Sequence, residues 1–161
     1  MIFITVGTGR FPFERLIKCI DEAIINHKIE EEVFGQIGKY GYKPKSFPCK
    51  EFIGFDEMVK NIQNADIIVS HAGVGSLLLC LNLGKIPILF PRDAALGELL
   101  DNHQFEFAKK IDSLGRALVA FSENDLIFKI HNYKTLIASA VPHSNSEGCE
   151  KLIYYLKKIC N

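Results

Sequence analysis

Ser70-His71-Ala72-Gly73-Val74-Gly75-Ser76 sets a histidine, serines and glycines between two apolar runs, DIIV before it and LLLCLNL after it. A glycine-serine turn that opens a helix is a ready anion site. Free backbone N–H groups and the helix dipole point at the ligand, and glycine lets a phosphate come close. His71 could donate to the same anion, or serve as a structural histidine bonded to a neighbouring loop. The stretch is no Walker A loop, because no Gly-Lys-Ser/Thr follows it.

Three other short stretches carry polar residues of the same kind. Gly7-Thr8-Gly9-Arg10 follows the first apolar run, but Pro12 stands where a GxGxxG pattern needs its last glycine, so the dehydrogenase fingerprint fails. Pro91-Arg92-Asp93-Ala94-Ala95-Leu96-Gly97-Glu98 offers Arg92, which could pair with a phosphate or equally with Asp93 or Glu98. Asp101-Asn102-His103-Gln104 is either a capping cluster on a solvated face or a hydrogen-bonding rim for a polyhydroxyl or phosphate ligand.

The elements that would position these residues follow from periodicity. Residues 2–6, IFITV, read as a buried strand ending at Gly7. Phe13, Leu16, Ile17, Ile20, Ala23 and Ile24 recur at helical spacing, and Pro12 fits the start of that helix. Further strands are expected at 32–37, 50–55, 66–69, 86–90 and 117–121, with helices after Asp56, over 77–83, from Asp101 or Asn102 to Ile111, after Asn124 and after Ser146. Strands alternating with helices predict an α/β fold, a Rossmann-like doubly wound and mostly parallel sheet. Ligands bind such sheets outside the carboxyl ends of the strands, where all four polar stretches fall.

The whole chain narrows the field. It has 161 residues, enough for one domain over 1–161, and a hydrophobic content of 48% suits a folded core. Lysine plus arginine and aspartate plus glutamate both number 19, so no global charge draws it to nucleic acid. No apolar run approaches the roughly 20 residues that span a bilayer, and MIFITVGTGR lacks the basic start of a signal peptide, so a cytoplasmic protein is expected. Cys19, Cys49, Cys80, Cys149 and Cys160 are scattered without a CxxC pair, which fits reduced structural thiols rather than a metal site.

HAGVGS, then GKIPILFPR, then GE and DNHQFEFA in that order resemble the C-terminal half of family 28 glycosyltransferases, and more closely the small cytosolic subunits of two-part transferases. These include bacterial exopolysaccharide and capsule enzymes and the eukaryotic subunit that adds an N-acetylglucosamine to the dolichol-linked oligosaccharide. The resemblance runs from IFITVGT to about Phe121. It implies the C-terminal, donor-binding half of a GT-B fold and an inverting transfer of a hexose from a UDP-sugar to a lipid-linked saccharide. A separate membrane-anchored subunit would supply the other lobe and hold this chain at the inner face of the membrane. The alternative is a non-catalytic nucleotide-sugar-binding or regulatory subunit.

Carried over by the resemblance, Gly73, Val74, Gly75 and Ser76 would hold the diphosphate, with Gly7 and Thr8 facing it. The 52–55 loop would cover the uracil, Arg92 would offset phosphate charge, and Glu98, Asp101, His103 and Gln104 would contact the donor sugar or ribose. His71, His103 and Glu98 are the candidates for general base. No cofactor is implied, and no Asp-x-Asp metal motif is present. Many relatives carry an acidic residue on the ribose where this chain has Leu79; either Glu98 takes that role or ribose is recognised differently. A docking surface for the membrane or partner would lie near Phe11-Pro12-Phe13, or on the C-terminal helix with Lys151, Lys157 and Lys158.

Overall fold

Alternation along the strands decides which helices cover which face of the sheet. In Ile2–Thr5 (β1), Ile2 and Ile4 point to one apolar cluster and Phe3 to another. In Ile67–His71 (β4), Ile67 and Val69 join the first cluster and Ile68 the second. In Ile88–Phe90 (β5), Ile88 and Phe90 again face the first cluster, while Leu89 faces a third. Strands buried on both faces are what a parallel sheet covered by helices requires.

The computed structural model describes residues 1–140, so the helix expected after Ser146, the lysines 151, 157 and 158, Cys149 and Cys160 lie outside the described residues. Val33–Gln36 (β2), Cys49–Lys50 (β3) and Leu118–Val119 (β6) complete a six-stranded sheet in the order β3-β2-β1-β4-β5-β6, parallel at every pairing. One face is covered by Glu14–Ile25 (α1), Glu123–His131 (α5) and Tyr133–Ala140 (α6), through Leu16, Ile17, Ile20, Leu126, Ile130 and Tyr133. The other is covered by Phe55–Asn64 (α2), Val74–Asn82 (α3) and His103–Ser113 (α4), through Ile62, Leu77, Cys80, Phe107 and Ile111. Each such side chain taken fully out of water contributes about 1.5–3 kcal/mol. The expected α/β doubly wound sheet is therefore the fold observed.

Several boundaries differ from the expectation, each for a local reason. The strand expected over 50–55 pairs only at Cys49–Lys50, because Gly54 is the N-cap of α2 and Phe55 already opens the helix. Asp56 is thus in the first turn rather than at the cap, where its charge complements the helix dipole. α3 begins three residues earlier than expected, at Val74, directly on the glycine turn. β6 shrinks to Leu118–Val119, since only β5 stands beside it and Ser122 caps α5 just beyond. Among the described residues no helix is long and apolar enough to cross a membrane.

The strand order reverses between β1 and β4, and at such a switch point the two following loops diverge and leave a crevice. The turn after β1 begins at Gly7, and the turn after β4 begins at Ala72.

Candidate functional site

At the switch point a cleft of about 320 Å³ is lined by Thr5, Gly7, Thr8, His71, Gly73, Gly75 and Ser76 on its polar side and by Met58, Ile62 and Leu79 on its apolar side. The polar wall comes from the ends of β1 and β4 and from the first turn of α3. The apolar wall comes from α2 and α3. No side chain caps the N-terminus of α3, whose N-cap is Gly73. The opening amides of that helix therefore face the cleft with their dipole unneutralised, which suits an anion.

His71 sits at the centre of the polar wall. A Cβ built on Gly7 would stand 2.4 Å from His71 Cε1, and one built on Gly73 would stand 2.2 Å from Nε2. The ring thus lies between two glycine backbones, and Gly7 also holds the left-handed φ of +73°. Burial, helped by the positive charge of Arg92, pulls the His71 pKa down to about 4. The ring is neutral at physiological pH. Its Nδ1 is buried and has no hydrogen-bond partner. A buried ring nitrogen without a partner costs free energy that a ligand could recover.

Behind the cleft, three polar side chains fix the loops. The amide of Gln36, buried in β2, accepts from Thr5 Oγ1 at 2.8 Å and donates to the carbonyls of Gly7 at 3.0 Å and Glu51 at 2.8 Å. Arg92, only 3% exposed, donates from Nη1 to the carbonyls of Phe11 and Pro12 at 3.0 Å and Glu98 at 3.3 Å, and from Nη2 to that of Val6 at 3.0 Å. Glu98, also buried, receives Nε and Nη2 of Arg15 at 3.0 and 2.9 Å and the Asp93 amide at 2.8 Å.

The expected site residues therefore divide. Gly7, Thr8, His71, Gly73, Gly75 and Ser76 are brought together around one cleft. Val74 opens α3 and packs partly on the apolar cluster under α4. Arg92 was expected to offset phosphate charge, but its guanidinium is spent on backbone carbonyls. Glu98 was expected at the sugar or as a base, but its carboxylate is held by Arg15. Gln104 is buried and accepts from the Arg92 amide at 3.2 Å.

Asp101 and His103 stay exposed at the start of α4, where the Asp101 carboxylate contacts the His103 ring and accepts its backbone N–H at 3.0 Å. At the 52–55 loop, Phe52 and Phe55 are solvent-exposed, and Met58 and Ile62 of the following helix line the cleft instead. Sequence reading missed Thr5, Gln36, Met58 and Ile62. The first two looked like ordinary strand residues, and the pairing of β1 with β2 and β4 sets them at the crevice; the last two looked like core, and α2 brings them there.

Residues 1–146 match the glycosyltransferase family 28 C-terminal domain. The chain is 33% identical over 123 residues to human UDP-N-acetylglucosamine transferase subunit ALG13, covering 71% of this chain and 10% of that protein. The Candida albicans protein of the same name is 46% identical over 95 residues, 56% of this chain and 31% of the relative. The chain thus spans a third or less of the length of these two relatives. Among solved structures, the NMR structure of ALG13 superposes with a TM-score of 0.59 at 21% identity, over 94% of this chain and 93% of that one. Acinetobacter baumannii MurG superposes with a TM-score of 0.59 at 18% identity, over 96% of this chain and 49% of MurG. With a glycine turn, an uncapped helix and a neutral histidine at the switch point, and with most of its length matched, the chain belongs to the glycosyltransferase family 28 C-terminal domain family.

Proposed function

We propose that the chain is the donor-binding subunit of an inverting glycosyltransferase, holding the diphosphate of a UDP-sugar at the N-terminus of α3. The observation that carries this reading is a cleft at the uncapped N-terminus of α3 whose polar wall is helix and turn backbone around the neutral ring of His71. A neutral imidazole can donate one hydrogen bond to a phosphate oxygen without introducing a buried cation. The apolar wall of Met58, Ile62 and Leu79 then faces the nucleoside. With Leu79 there and Glu98 held by Arg15, none of the residues lining the cleft offers a carboxylate to the ribose, so ribose recognition rests on other groups.

In the reaction, an acceptor hydroxyl attacks the anomeric carbon from the face opposite UDP. The new C–O bond forms as the bond to the β-phosphate oxygen breaks, and the hydroxyl proton passes to a general base. The electron pair that leaves with UDP is stabilised by the amides and dipole of α3. Because its conjugate acid titrates near pH 4, His71 is a weak base and a good neutral donor. His103, with its ring oriented by Asp101, is the acid–base candidate this chain retains.

The names of the relatives favour UDP-N-acetylglucosamine as donor and a second subunit as partner. That partner, membrane-anchored, would supply the other lobe and the lipid-linked saccharide acceptor, and would place the chain at the cytoplasmic face of the membrane. The test has two arms. Calorimetry of the chain with UDP is expected to show binding, and no heat at millimolar UDP sinks the donor site. Transfer of radiolabelled sugar to membrane lipid is expected only when the partner is co-expressed. UDP binding with no transfer under those conditions would instead favour a non-catalytic nucleotide-sugar-binding subunit.

A further inference from the structure

The two peptide units on either side of Gly7 differ in what they leave for a ligand. In the one before it, the Val6 carbonyl receives Arg92 Nη2 at 3.0 Å and the Gly7 N–H donates to Thr5 Oγ1 at 3.3 Å. Both polar ends of that unit are met within the protein. In the one after it, the Gly7 carbonyl receives Gln36 Nε2 at 3.0 Å, while the Thr8 N–H has no acceptor among the described residues. A trans peptide unit sets its carbonyl and its N–H on opposite sides, so the side chain that holds the Gly7 carbonyl also aims the Thr8 N–H. Thr8 lines the cleft, and Gln36 stands behind it at the end of β2. The free N–H thus belongs to a residue of the cleft wall and points away from the glutamine.

Gln36 has no other conformation that serves its neighbours. It is 1% exposed, and its amide is engaged at both ends. Oε1 accepts from Thr5 Oγ1 at 2.8 Å, and Nε2 donates to the carbonyls of Gly7 and Glu51. Reversing the amide would set its oxygen against two carbonyl oxygens. With Thr5 the bonds close a ring: the Gly7 N–H to the Thr5 hydroxyl, that hydroxyl to Gln36 Oε1, and Gln36 Nε2 back to the Gly7 carbonyl. Gly7 is held at both ends, in a left-handed conformation that suits glycine.

We propose that Gln36 is a positioning residue for the donor: by holding the Gly7 carbonyl it presents the Thr8 N–H to a phosphate oxygen of the diphosphate. The proposal rests on the donor-site reading above and adds one amide from the facing loop to those of α3. Gln36 itself touches no part of the donor. Its bond to the Glu51 carbonyl also reaches the segment that leads to the apolar wall, so a test must separate diphosphate from nucleoside.

Uridine, which carries no phosphate, makes that separation. The experiment titrates wild type, Gln36→Met and Thr5→Val with UDP and with uridine, following affinities and backbone amide spectra. In wild type the Thr8 amide resonance should move downfield with UDP and not with uridine. Gln36→Met keeps the side chain's length without a hydrogen-bond donor, so its Thr8 resonance should be displaced before any ligand is added. UDP affinity should fall about tenfold more than uridine affinity, the effect of losing one charge-assisted hydrogen bond. Thr5→Val breaks the ring at the hydroxyl and should show the same selective loss to a smaller degree, which decides the matter should Gln36→Met fail to fold. A wild-type Thr8 amide that ignores UDP, or variants whose losses for UDP and uridine are equal, would overturn the proposal and leave the donor site standing. No UDP binding by wild type would remove the donor site, and the proposal with it.

Discussion

Gly73 is required for its lack of a side chain rather than for its backbone angle, since its φ of −91° is open to any residue. What forbids a side chain is His71 Nε2, 2.2 Å from where a Cβ would stand, and the ring cannot retreat because Gly7 closes its other side. Gly73→Ala should therefore act as an overpacking mutation, costing about 1–3 kcal/mol, and should also push the imidazole out of register with the cleft. A chemical-denaturation midpoint and a UDP titration measure the two effects. A stable Gly73→Ala variant with wild-type affinity would show that the ring has room to move. At this scale the sequence was partly legible. Turn glycines, His71 and Ser76 announced an anion site through residue type and order. The tasks of Arg92 and Glu98 were hidden, because their partners are backbone carbonyls and an arginine 83 residues away from Glu98.

Among the elements, α1 does more than cover the sheet. Its Asp21 is fully buried and collects the hydroxyl of Tyr42, the amides of Lys45 and Ser46 and the hydroxyl of Ser46. Burial alone would raise its pKa. The bonds from Ser46 and Tyr42 and from the backbone outweigh that, and the carboxyl ends below its ordinary value. α1 thereby fastens the 42–46 turn that leads into β3, a strand of only two residues with little pairing of its own. Asp21→Asn would replace one acceptor oxygen by a donor facing donors. It should cost about 2–3 kcal/mol and speed hydrogen exchange at Lys45 and Ser46 ahead of the strands. A loss below about 0.5 kcal/mol would mean that the turn holds itself. The apolar spacing of α1 was readable from Phe13 to Ile24, yet Asp21 was not. Its partners lie more than 20 residues away on a loop without periodicity. The short β3 and β6 were overextended for the same reason, since pairing with one neighbour, and not composition, sets their length.

For the molecule as a whole, the order β3-β2-β1-β4-β5-β6 yields one crevice at one switch point, and the donor's charge must be met there. Formal net charge is zero, so no overall field assists. Arg92 is committed to carbonyls, and His71 is neutral. Facing the cleft are the backbone of the uncapped start of α3 and of the turn after β1, with Thr8 and Ser76 beside them. Oriented amides in a shielded cleft are worth more than the same groups in water, because they are already aligned and need no reorganisation. Such a site does not require a divalent cation to shield the diphosphate. UDP affinity should therefore be the same within about twofold in EDTA and in millimolar magnesium, a difference well below 1 kcal/mol. Calorimetry in the two buffers decides it. A tenfold gain with magnesium would mean that the helix and turn amides leave much of the diphosphate charge unmet.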